Sequence, residues 1–198
     1  MLRDPEIVLE SCEDVYAPAE DTFLLLSALQ VVRDQQVLEM GCGSGILAIH
    51  CAKAGSLVTA VDINPAAVEC TKYNASINDV LVNVINSDLF SAVEGRFDLI
   101  YFNPPYLRGE LQDMQGRTWA GGATGTETLR AFLDQAWDHL TPAGRMAILT
   151  SSDMDQKALG MLLRPYRVRE LASMRLFFEE LKVLELTPAD PGRPRSFF

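Results

Sequence analysis

The feature that most constrains the fold is a short apolar run followed by closely spaced glycines. Val37–Met40 has the length and composition of a buried strand, and the next five residues read Gly-Cys-Gly-Ser-Gly. Ile46 to Ala54 then has the pattern of a helix that ends at Gly55. A strand, a glycine turn and a helix in this order make the βα unit that binds nucleotides at the carboxyl edge of a parallel sheet. The sequence therefore predicts an α/β fold.

Strand and helix patterns continue to alternate along the chain. Strands are predicted at 37–40, 57–62, 80–85, 96–102, 145–150, 168–177 and 182–186, and helices at 18–32, 46–54, 65–77, 124–140 and 153–163. Seven strands that interleave with helices and end in a strand pair predict a doubly wound seven-stranded sheet whose last strand runs antiparallel. We expect residues 1–189 to form a single domain. Residues 190–198 contain two prolines and a glycine and are expected to be a loose tail.

The charge balance restricts the class of partner. The chain has 17 Lys and Arg against 27 Asp and Glu, a net charge of −10, and it has no basic run. Such a surface repels a nucleic-acid backbone, whose affinity for proteins comes largely from neutralised phosphates. The N-terminal residues lack the apolar stretch of a signal peptide, and no apolar run has the length of a membrane span. We therefore expect a cytoplasmic protein with no membrane contact, and nucleic acid as an unfavoured partner.

The four cysteines, Cys12, Cys42, Cys51 and Cys70, show no Cys-x-x-Cys spacing. This spacing argues against a zinc site or a redox pair, so no metal site is predicted. Together with the expected cytoplasmic location, it favours reduced structural thiols.

Acidic residues follow several predicted strands at the edge where a ligand would bind. Glu39 lies just before the glycine loop, where it would oppose a pyrophosphate and attract an ammonium group. Asp62 ends the second strand, 17 residues after Gly45 (62 − 45), close to the spacing at which an acid reaches ribose hydroxyls. The alternative for Asp62 is a cap for the next helix. Asp88 has the geometry to accept a hydrogen bond from an adenine amino group, or to be an ordinary turn aspartate.

The fourth predicted strand leads directly into Asn103-Pro104-Pro105-Tyr106. The two prolines have fixed φ and no N–H, and they keep Asn103 out of the helical region. An amide side chain, a stiff backbone carbonyl and an aromatic ring therefore converge at the strand end, an arrangement suited to holding a planar amino group. The alternative is an ordinary strand end followed by a proline turn.

The segment from Leu107 to Thr124 is long for a connection and is rich in glycine. Loops of this length are uncommon unless they are functional or disordered. Trp119 in this segment is expected either to close over the site or simply to pack the loop against the domain.

Taken together, these motifs resemble the class I S-adenosylmethionine-dependent methyltransferases, which have a Rossmann-like fold. Within that class the chain is most similar to the HemK/PrmC group of glutamine methyltransferases, in the short HemK2-like form of eukaryotes and archaea. The resemblance runs from about Val15 to Leu186. It is carried, in the family's order, by the segments 15–22, 39–45, 62–65, 103–106 and 119–122. One departure is Ala17, which replaces an acid that often precedes the proline.

The resemblance implies a role for particular residues and implies no metal. S-adenosyl-L-methionine is the implied cofactor, and its pocket would be formed by Tyr16, Thr22, Glu39, Gly41, Gly43, Gly45, Asp62, Ile63, Asp88 and Leu89. Asn103 would touch both the cofactor and the substrate. The substrate amide would be held by Asn103, Pro104, Pro105 and Tyr106, of which Asn103, Pro104 and Tyr106 would be catalytic.

The resemblance also implies a substrate and a partner. The substrate would be the glutamine in the Gly-Gly-Gln loop of a peptide-chain release factor, modified on N5. The partner would be a small zinc-binding activator subunit in a heterodimer. Leu81, Val82, Val84 and Ile85 make the third strand more apolar than an exposed edge strand should be, which also favours a partner there.

Three other functions are compatible with these motifs. An adenine N6-methyltransferase would share the Asn-Pro-Pro-Tyr element, but the net charge of −10 disfavours nucleic acid. A protein-lysine methyltransferase would place an amine in the same pocket. A non-catalytic cofactor-binding subunit is disfavoured by the intact Asn103–Tyr106 segment.

Overall fold

The computed structural model describes residues 1–107 and 122–189. Within these ranges the helices are α1 Glu20–Ala28, α2 Ile46–Lys53, α3 Pro65–Ile77, α4 Glu127–Ala136 and α5 Gln156–Leu163. The strands are β1 Gln36–Met40, β2 Leu57–Asp62, β3 Val82–Asn86, β4 Phe97–Phe102, β5 Leu140–Ser151, β6 Tyr166–Arg175 and β7 Glu180–Pro188. In this part of the chain no helix is both long and apolar enough to cross a bilayer.

The seven strands form one sheet in the order β3-β2-β1-β4-β5-β7-β6. The pairs from β3 to β5 are all parallel, whereas β7 is antiparallel to both of its neighbours. The predicted doubly wound α/β sheet with an antiparallel last strand is confirmed. The strand order reverses between β1 and β4, which places a ligand crevice beside the carboxyl ends of these two strands.

Apolar side chains on both faces of the sheet bury it between two helical layers. Along β4, Leu99 and Tyr101 pack with α1 and α2, whereas Ile100 and Phe102 point to the other face and pack with α4. Successive strand residues face opposite sides, so a continuous apolar run is what a strand covered on both faces requires. Helices therefore pack on both faces of the sheet and hold its strands, including the residues at its carboxyl edge, in place.

Some helices and strands begin or end at residues other than those predicted from the sequence. α1 ends at Ala28 rather than near residue 32, because Leu29 is already extended with φ −68° and ψ 132°. β3 begins at Val82 rather than at residue 80, because Val82 is the first residue that pairs with β2, opposite Val58. β3 is the outermost strand beside β2, as expected.

The expectation of four reduced thiols is wrong for two of the cysteines. Cys12 and Cys70 form a disulfide that ties the N-terminal segment to α3, whereas Cys42 and Cys51 are buried free thiols. The two bonded cysteines are 58 residues apart in sequence, so their spacing carried no motif. Only the packing of the N-terminal segment across α3 brings them together.

Candidate active site

A large cavity lies at the carboxyl edge of the sheet, with a volume of about 1210 Å³. The structure brings together almost all of the predicted site residues in its wall. These are Tyr16, Thr22, Glu39, Gly41, Gly43, Asp62, Ile63, Asp88, Leu89, Asn103, Pro104, Pro105 and Tyr106. Gly45 is the one predicted residue that does not line the cavity.

The glycine loop is folded onto the end of β2 by backbone hydrogen bonds. The N–H groups of Gly41 and Cys42 both donate to the carbonyl of Val61, at 2.7 and 3.0 Å. Gly41 and Gly43 have positive φ of 70° and 51°, a conformation that L side chains rarely adopt. The loop therefore presents backbone, without side-chain bulk, to whatever occupies the cavity.

Gly45 serves the packing of the loop rather than the cavity wall. It has φ +81°, and a Cβ atom built on it would lie 2.8 Å from Cγ2 and 3.1 Å from Cα of Thr71. Thr71 in turn donates from Oγ1 to the carbonyl of Gly43 at 3.0 Å. Gly45 therefore allows α3 to approach the loop closely and to fix its shape.

We expect Gly45→Ala to destabilise the fold and to weaken ligand binding at the loop. Left-handed backbone costs roughly 1–2 kcal/mol for a non-glycine residue, and the clash with the Thr71 backbone adds about 1–3 kcal/mol of overpacking. Gly95→Ala is the matched control, since Gly95 has φ +90° but no atom within 4 Å of its added Cβ. Chemical denaturation of both variants would measure the difference, and equal losses would show that the approach of Thr71 is unimportant.

Asp62 lines the cavity, and both of its carboxylate oxygens accept hydrogen bonds from backbone N–H groups. Oδ2 accepts from the N–H of Gly43 at 3.0 Å, and Oδ1 accepts from the N–H of Asn64 at 2.9 Å. The cap of α3 is Asn64, whose side chain accepts from the N–H of Ala66, so the alternative role of Asp62 as that cap is excluded. Burial raises the pKa of Asp62, although the backbone donors partly oppose this shift.

Glu39 lies at the deepest part of the wall, and only 2% of it is exposed. Its Oε2 accepts from the N–H of Ala48 at 2.9 Å. Ala48 is the third residue of α2, so Glu39 satisfies one of the unpaired donors at the start of that helix. Burial raises the pKa of Glu39 well above its usual range.

Asp88 and Leu89 occupy a tight turn after β3 that faces the cavity. Leu89 has φ +46°, an uncommon conformation for a branched apolar residue. Ser87 holds this turn, because its hydroxyl donates to the carbonyl of Leu89 at 3.0 Å and accepts from the N–H of Ala92 at 2.9 Å. Leu89 and Ile63 thereby add apolar surface to a wall that also contains the Asp88 carboxylate.

Asn103 is oriented by a carboxylate from the start of α1. Its Nδ2 donates to Oδ2 of Asp21 at 2.8 Å, across 82 positions of the sequence. A carboxylate only accepts hydrogen bonds, so the atom of Asn103 that faces Asp21 must be the amide nitrogen. The side-chain oxygen of Asn103 is therefore directed away from Asp21.

That oxygen, Asn103 Oδ1, is buried and has no hydrogen-bond partner within residues 1–107 and 122–189. Leaving a buried acceptor unpaired costs about 1–3 kcal/mol, and such groups are rare in folded proteins. Asn103 lies in the cavity wall. The site therefore contains one preorganised acceptor in need of a donor.

Asp21 is a residue of the cavity wall whose contacts the sequence did not predict. Only 4% of Asp21 is exposed, and its Oδ1 accepts from the hydroxyl of Tyr16 at 2.9 Å and from the N–H of Thr22 at 2.6 Å. In the sequence it read as an acidic residue of a first helical turn. The available signal was the Pro18-Ala19-Glu20-Asp21-Thr22 segment, which did not reveal that Asp21 holds Asn103.

The comparisons with known proteins agree with this geometry. The family model described as the methyltransferase small domain matches residues 17–177. The chain belongs to this methyltransferase family. The protein is therefore a methyltransferase. This assignment also explains why a ligand-binding crevice lies beside the carboxyl ends of β1 and β4.

Three relatives illustrate the family. A protein of Methanocaldococcus jannaschii, provisionally named protein N5-glutamine methyltransferase, is 40% identical over 90% of this chain and 94% of its own length. Methyltransferase HEMK2 of Mus musculus is 37% identical over 69% of this chain and 72% of its own. The Mtq2–Trm112 complex of E. cuniculi, responsible for methylating the translation termination factor eRF1, superimposes with a TM-score of 0.70. The matching chain of that complex is 24% identical in sequence to this chain, and the superposition covers 89% of this chain and 99% of the other.

In this methyltransferase, the two tyrosines of the cavity wall remain neutral phenols. Burial and the neighbouring carboxylate of Asp21 both raise the pKa of Tyr16 and of Tyr106 above the usual range. Neither phenol is therefore a base at neutral pH. Pro104 also lines the cavity and is buried.

The predicted roles of the segment from Leu107 to Thr124 and of Trp119 within it concern residues 108–121, which lie outside the described residues.

Proposed function

We propose that this methyltransferase transfers a methyl group from S-adenosyl-L-methionine to N5 of the glutamine in the Gly-Gly-Gln loop of a peptide-chain release factor. The observation that carries the proposal is the buried, unpartnered Oδ1 of Asn103, which Asp21 directs away from itself. A primary amide supplies the N–H donor that this oxygen lacks. The relative from Methanocaldococcus jannaschii is named a protein N5-glutamine methyltransferase, and the relative from Mus musculus is named methyltransferase HEMK2.

The residues of the cavity fit S-adenosyl-L-methionine. Asp62 offers a carboxylate to the ribose hydroxyls, and Asp88 offers an acceptor to the adenine amino group beside the apolar surface of Ile63 and Leu89. Glu39 and Asp21 add carboxyl groups to the wall, and these can accept hydrogen bonds from the ammonium group of the cofactor. A pyrophosphate, by contrast, would meet these carboxylates unfavourably.

The chain's own residues would activate the amide by hydrogen bonding. Bound S-adenosyl-L-methionine supplies a methyl group on positively charged sulfur, which is electrophilic without a metal. The amide nitrogen is a poor nucleophile because its lone pair is shared with the carbonyl, the resonance behind a rotation barrier of roughly 18–20 kcal/mol. As the N–C bond forms, the amide protons become more acidic, so hydrogen bonds to Asn103 Oδ1 and to the Pro104 carbonyl strengthen. Such bonds favour the transition state over the bound substrate.

The proton balance requires no side-chain base. The amide nitrogen gains the methyl group and loses one of its two protons, and sulfur leaves as a neutral thioether. The nearby phenols of Tyr16 and Tyr106 have raised pKa values and stay protonated. The proton therefore passes to water after the new N–C bond has formed. The stiff Pro104-Pro105 backbone contributes orientation, which is worth most when the reacting atoms are already held in line.

The charge of the protein favours a glutamine over an adenine. Both amino groups carry two protons and fit two acceptors, so recognition outside the cavity must decide between them. An adenine in a duplex would also have to be extruded, at a cost of a few kcal/mol. A net charge of −10 supplies little attraction for the surrounding phosphates. A Gly-Gly-Gln loop carries little side-chain bulk and enters a narrow opening easily.

The test is to incubate the enzyme with labelled cofactor and a release factor, a variant with its loop glutamine replaced by alanine, and matched DNA and RNA. We expect label on the wild-type release factor only, with weak dependence on salt because few phosphate-type contacts exist. Label on the glutamine variant would point to lysine or another residue. Label on nucleic acid alone would overturn the proposal.

We also propose that the β3 edge binds a small zinc-binding activator subunit. β3 is the outermost strand beside β2, and Leu81 just before it is 94% exposed. Val82, Val84 and Ile85 on β3 are only partly buried. Exposed apolar edge strands pair with other chains.

We expect Leu81→Asp to weaken the affinity for such a subunit by about tenfold or more, because burying a charge in an apolar contact is unfavourable. Co-purification from a host expressing both chains would measure this, with Val168→Ala on β6 as a control at the other edge of the sheet. Full activity of the isolated enzyme, with no change on addition of a partner, would contradict the proposal.

The proposed substrate implies a cytoplasmic location, where release factors work.

A further inference from the structure

The tip of the β6–β7 hairpin carries two aromatic rings that the site does not use. β6 ends at Arg175 and β7 begins at Glu180, so residues 176–179 form the connection. Its two central residues are Phe177 and Phe178, whose exposed fractions are 100% and 99%. Gly, Pro, Asn, Asp and Ser dominate such positions, because they suit the turn backbone. Two phenyl rings in water at a turn therefore indicate a contact surface.

The base of this tip is held firmly against the end of β5. The N–H of Leu176 donates to the carbonyl of Glu179 at 2.8 Å, which closes the turn. Ser152 and Glu180 are joined by two hydrogen bonds of 2.9 Å, one from each backbone N–H. The hydroxyl of Ser151 donates to Oε2 of Glu179 at 2.8 Å. The two rings therefore project from a backbone that hydrogen bonds hold in place at its base.

The tip is continuous with the mouth of the candidate active site. Glu179, the residue directly after Phe178, lines the cavity together with Tyr106. Burial raises the pKa of the Tyr106 phenol, and the nearby carboxylates of Asp21, Glu179, Asp153 and Glu20 raise it further. The rings thus stand beside an acidic rim. A surface with this combination fits a partner that offers an apolar pocket surrounded by positive charge.

Two other occupants fit the tip less well. The proposed activator edge, β3, is at the opposite end of the sheet from β6, so an activator bound there leaves the hairpin uncovered. A membrane surface would bring anionic headgroups against the acidic rim, which is unfavourable. The protein substrate, in contrast, must approach this mouth whenever its glutamine enters the cavity.

We propose that Phe177 and Phe178 form the docking surface for the protein substrate and insert into an apolar, positively bordered pocket beside its glutamine loop. This inference rests on the proposed function. Neither ring is among the residues that line the cavity, so the rings act on substrate capture rather than on the chemical step. Phenylalanine is one of the residue types that are enriched in the buried core of protein interfaces.

The test compares a release factor with a short synthetic peptide that contains only its Gly-Gly-Gln loop. For the double variant Phe177→Ala/Phe178→Ala we expect KM for the release factor to rise by about 10- to 30-fold with kcat unchanged. KM for the peptide should stay the same, because the peptide lacks the apolar pocket into which the rings would insert. Val168→Ala, an exposed apolar residue toward the other end of β6, is the matched control. Direct titration of labelled release factor gives the affinity without turnover.

Each outcome has a defined meaning. An unchanged KM for the release factor, or equal changes for the protein and the peptide, would overturn the docking surface. A variant that turns a dimer into a monomer in light scattering would show that a second copy of the chain covers the tip, and would also overturn it. The wild-type enzyme reports separately on the proposed function: if it methylates neither substrate and titration detects no binding, the function and the docking surface both fail.

Discussion

Replacing Asn103 with alanine should slow methyl transfer by about 10²–10³-fold, the usual cost of removing one preorganised polar group from an active site. The reason is Oδ1 of Asn103, a buried acceptor that has no partner among the described residues and is oriented before any substrate arrives. The loss should fall on kcat, because the hydrogen bond strengthens as the amide protons become acidic. Cofactor affinity should change much less than turnover.

In the Asn103→Ala variant Oδ2 of Asp21 loses its donor, which costs about 1–3 kcal/mol, but the unpaired Oδ1 is also removed, which recovers a similar amount. We therefore expect the free energy of unfolding to change little. Thermal and chemical denaturation should accompany the kinetics, which should be measured where the variant is fully folded. Turnover near the wild-type rate in a folded variant would show that the amide clamp does not exist.

A double-mutant cycle separates the roles of Asp21 and Asn103. Asp21 is a positioning residue if it acts on the substrate only through Asn103. In that case Asp21→Asn should lower kcat in the wild-type background and have no further effect on kcat when Asn103 is already alanine. Additive losses would mean that Asp21 contacts the cofactor or the substrate by itself.

The second large effect concerns cofactor affinity. Asp62→Asn or Asp62→Ala should weaken binding of S-adenosyl-L-methionine by about 1.5–3 kcal/mol, roughly 10- to 150-fold in Kd, through loss of a charged acceptor. Asp62→Asn is the sharper variant, because it keeps an oxygen for the N–H of Gly43 or Asn64 and so preserves the loop better. Calorimetry that finds unchanged affinity would remove Asp62 from the site.

The pH dependence of binding provides a second readout at Asp62. Burial raises its pKa, so the carboxylate is protonated at a higher pH than an exposed aspartate. Only the ionised form accepts hydrogen bonds on both oxygens, so cofactor affinity should fall as the pH drops through this raised pKa. Asp62→Asn has no such ionisation, and its affinity should lack that part of the pH dependence. An identical pH profile in the two proteins would contradict the assignment.

The sequence by itself determined the fold class and most of the cavity wall. The strand, glycine loop and helix at 37–54, the acid at Asp62 and the Asn103–Tyr106 segment are local patterns with local causes. Proline fixes its own φ, glycine permits positive φ, and an apolar run of strand length must be buried on both faces. Because parallel strands end at the same edge of a sheet, these local patterns also predicted that their carboxyl-end residues would meet.

The tertiary structure alone decided which side chains act on one another. Asp21 read as a helix-start acid, and only the docking of α1 beside β4 makes it the group that orients Asn103, 82 positions away. Gly45 read as a cavity residue, and only the approach of Thr71 shows that it serves packing. Cys12 and Cys70 carried no spacing motif, yet the N-terminal segment crosses α3 and joins them. These contacts depend on the relative placement of elements distant in sequence, which local propensity does not encode.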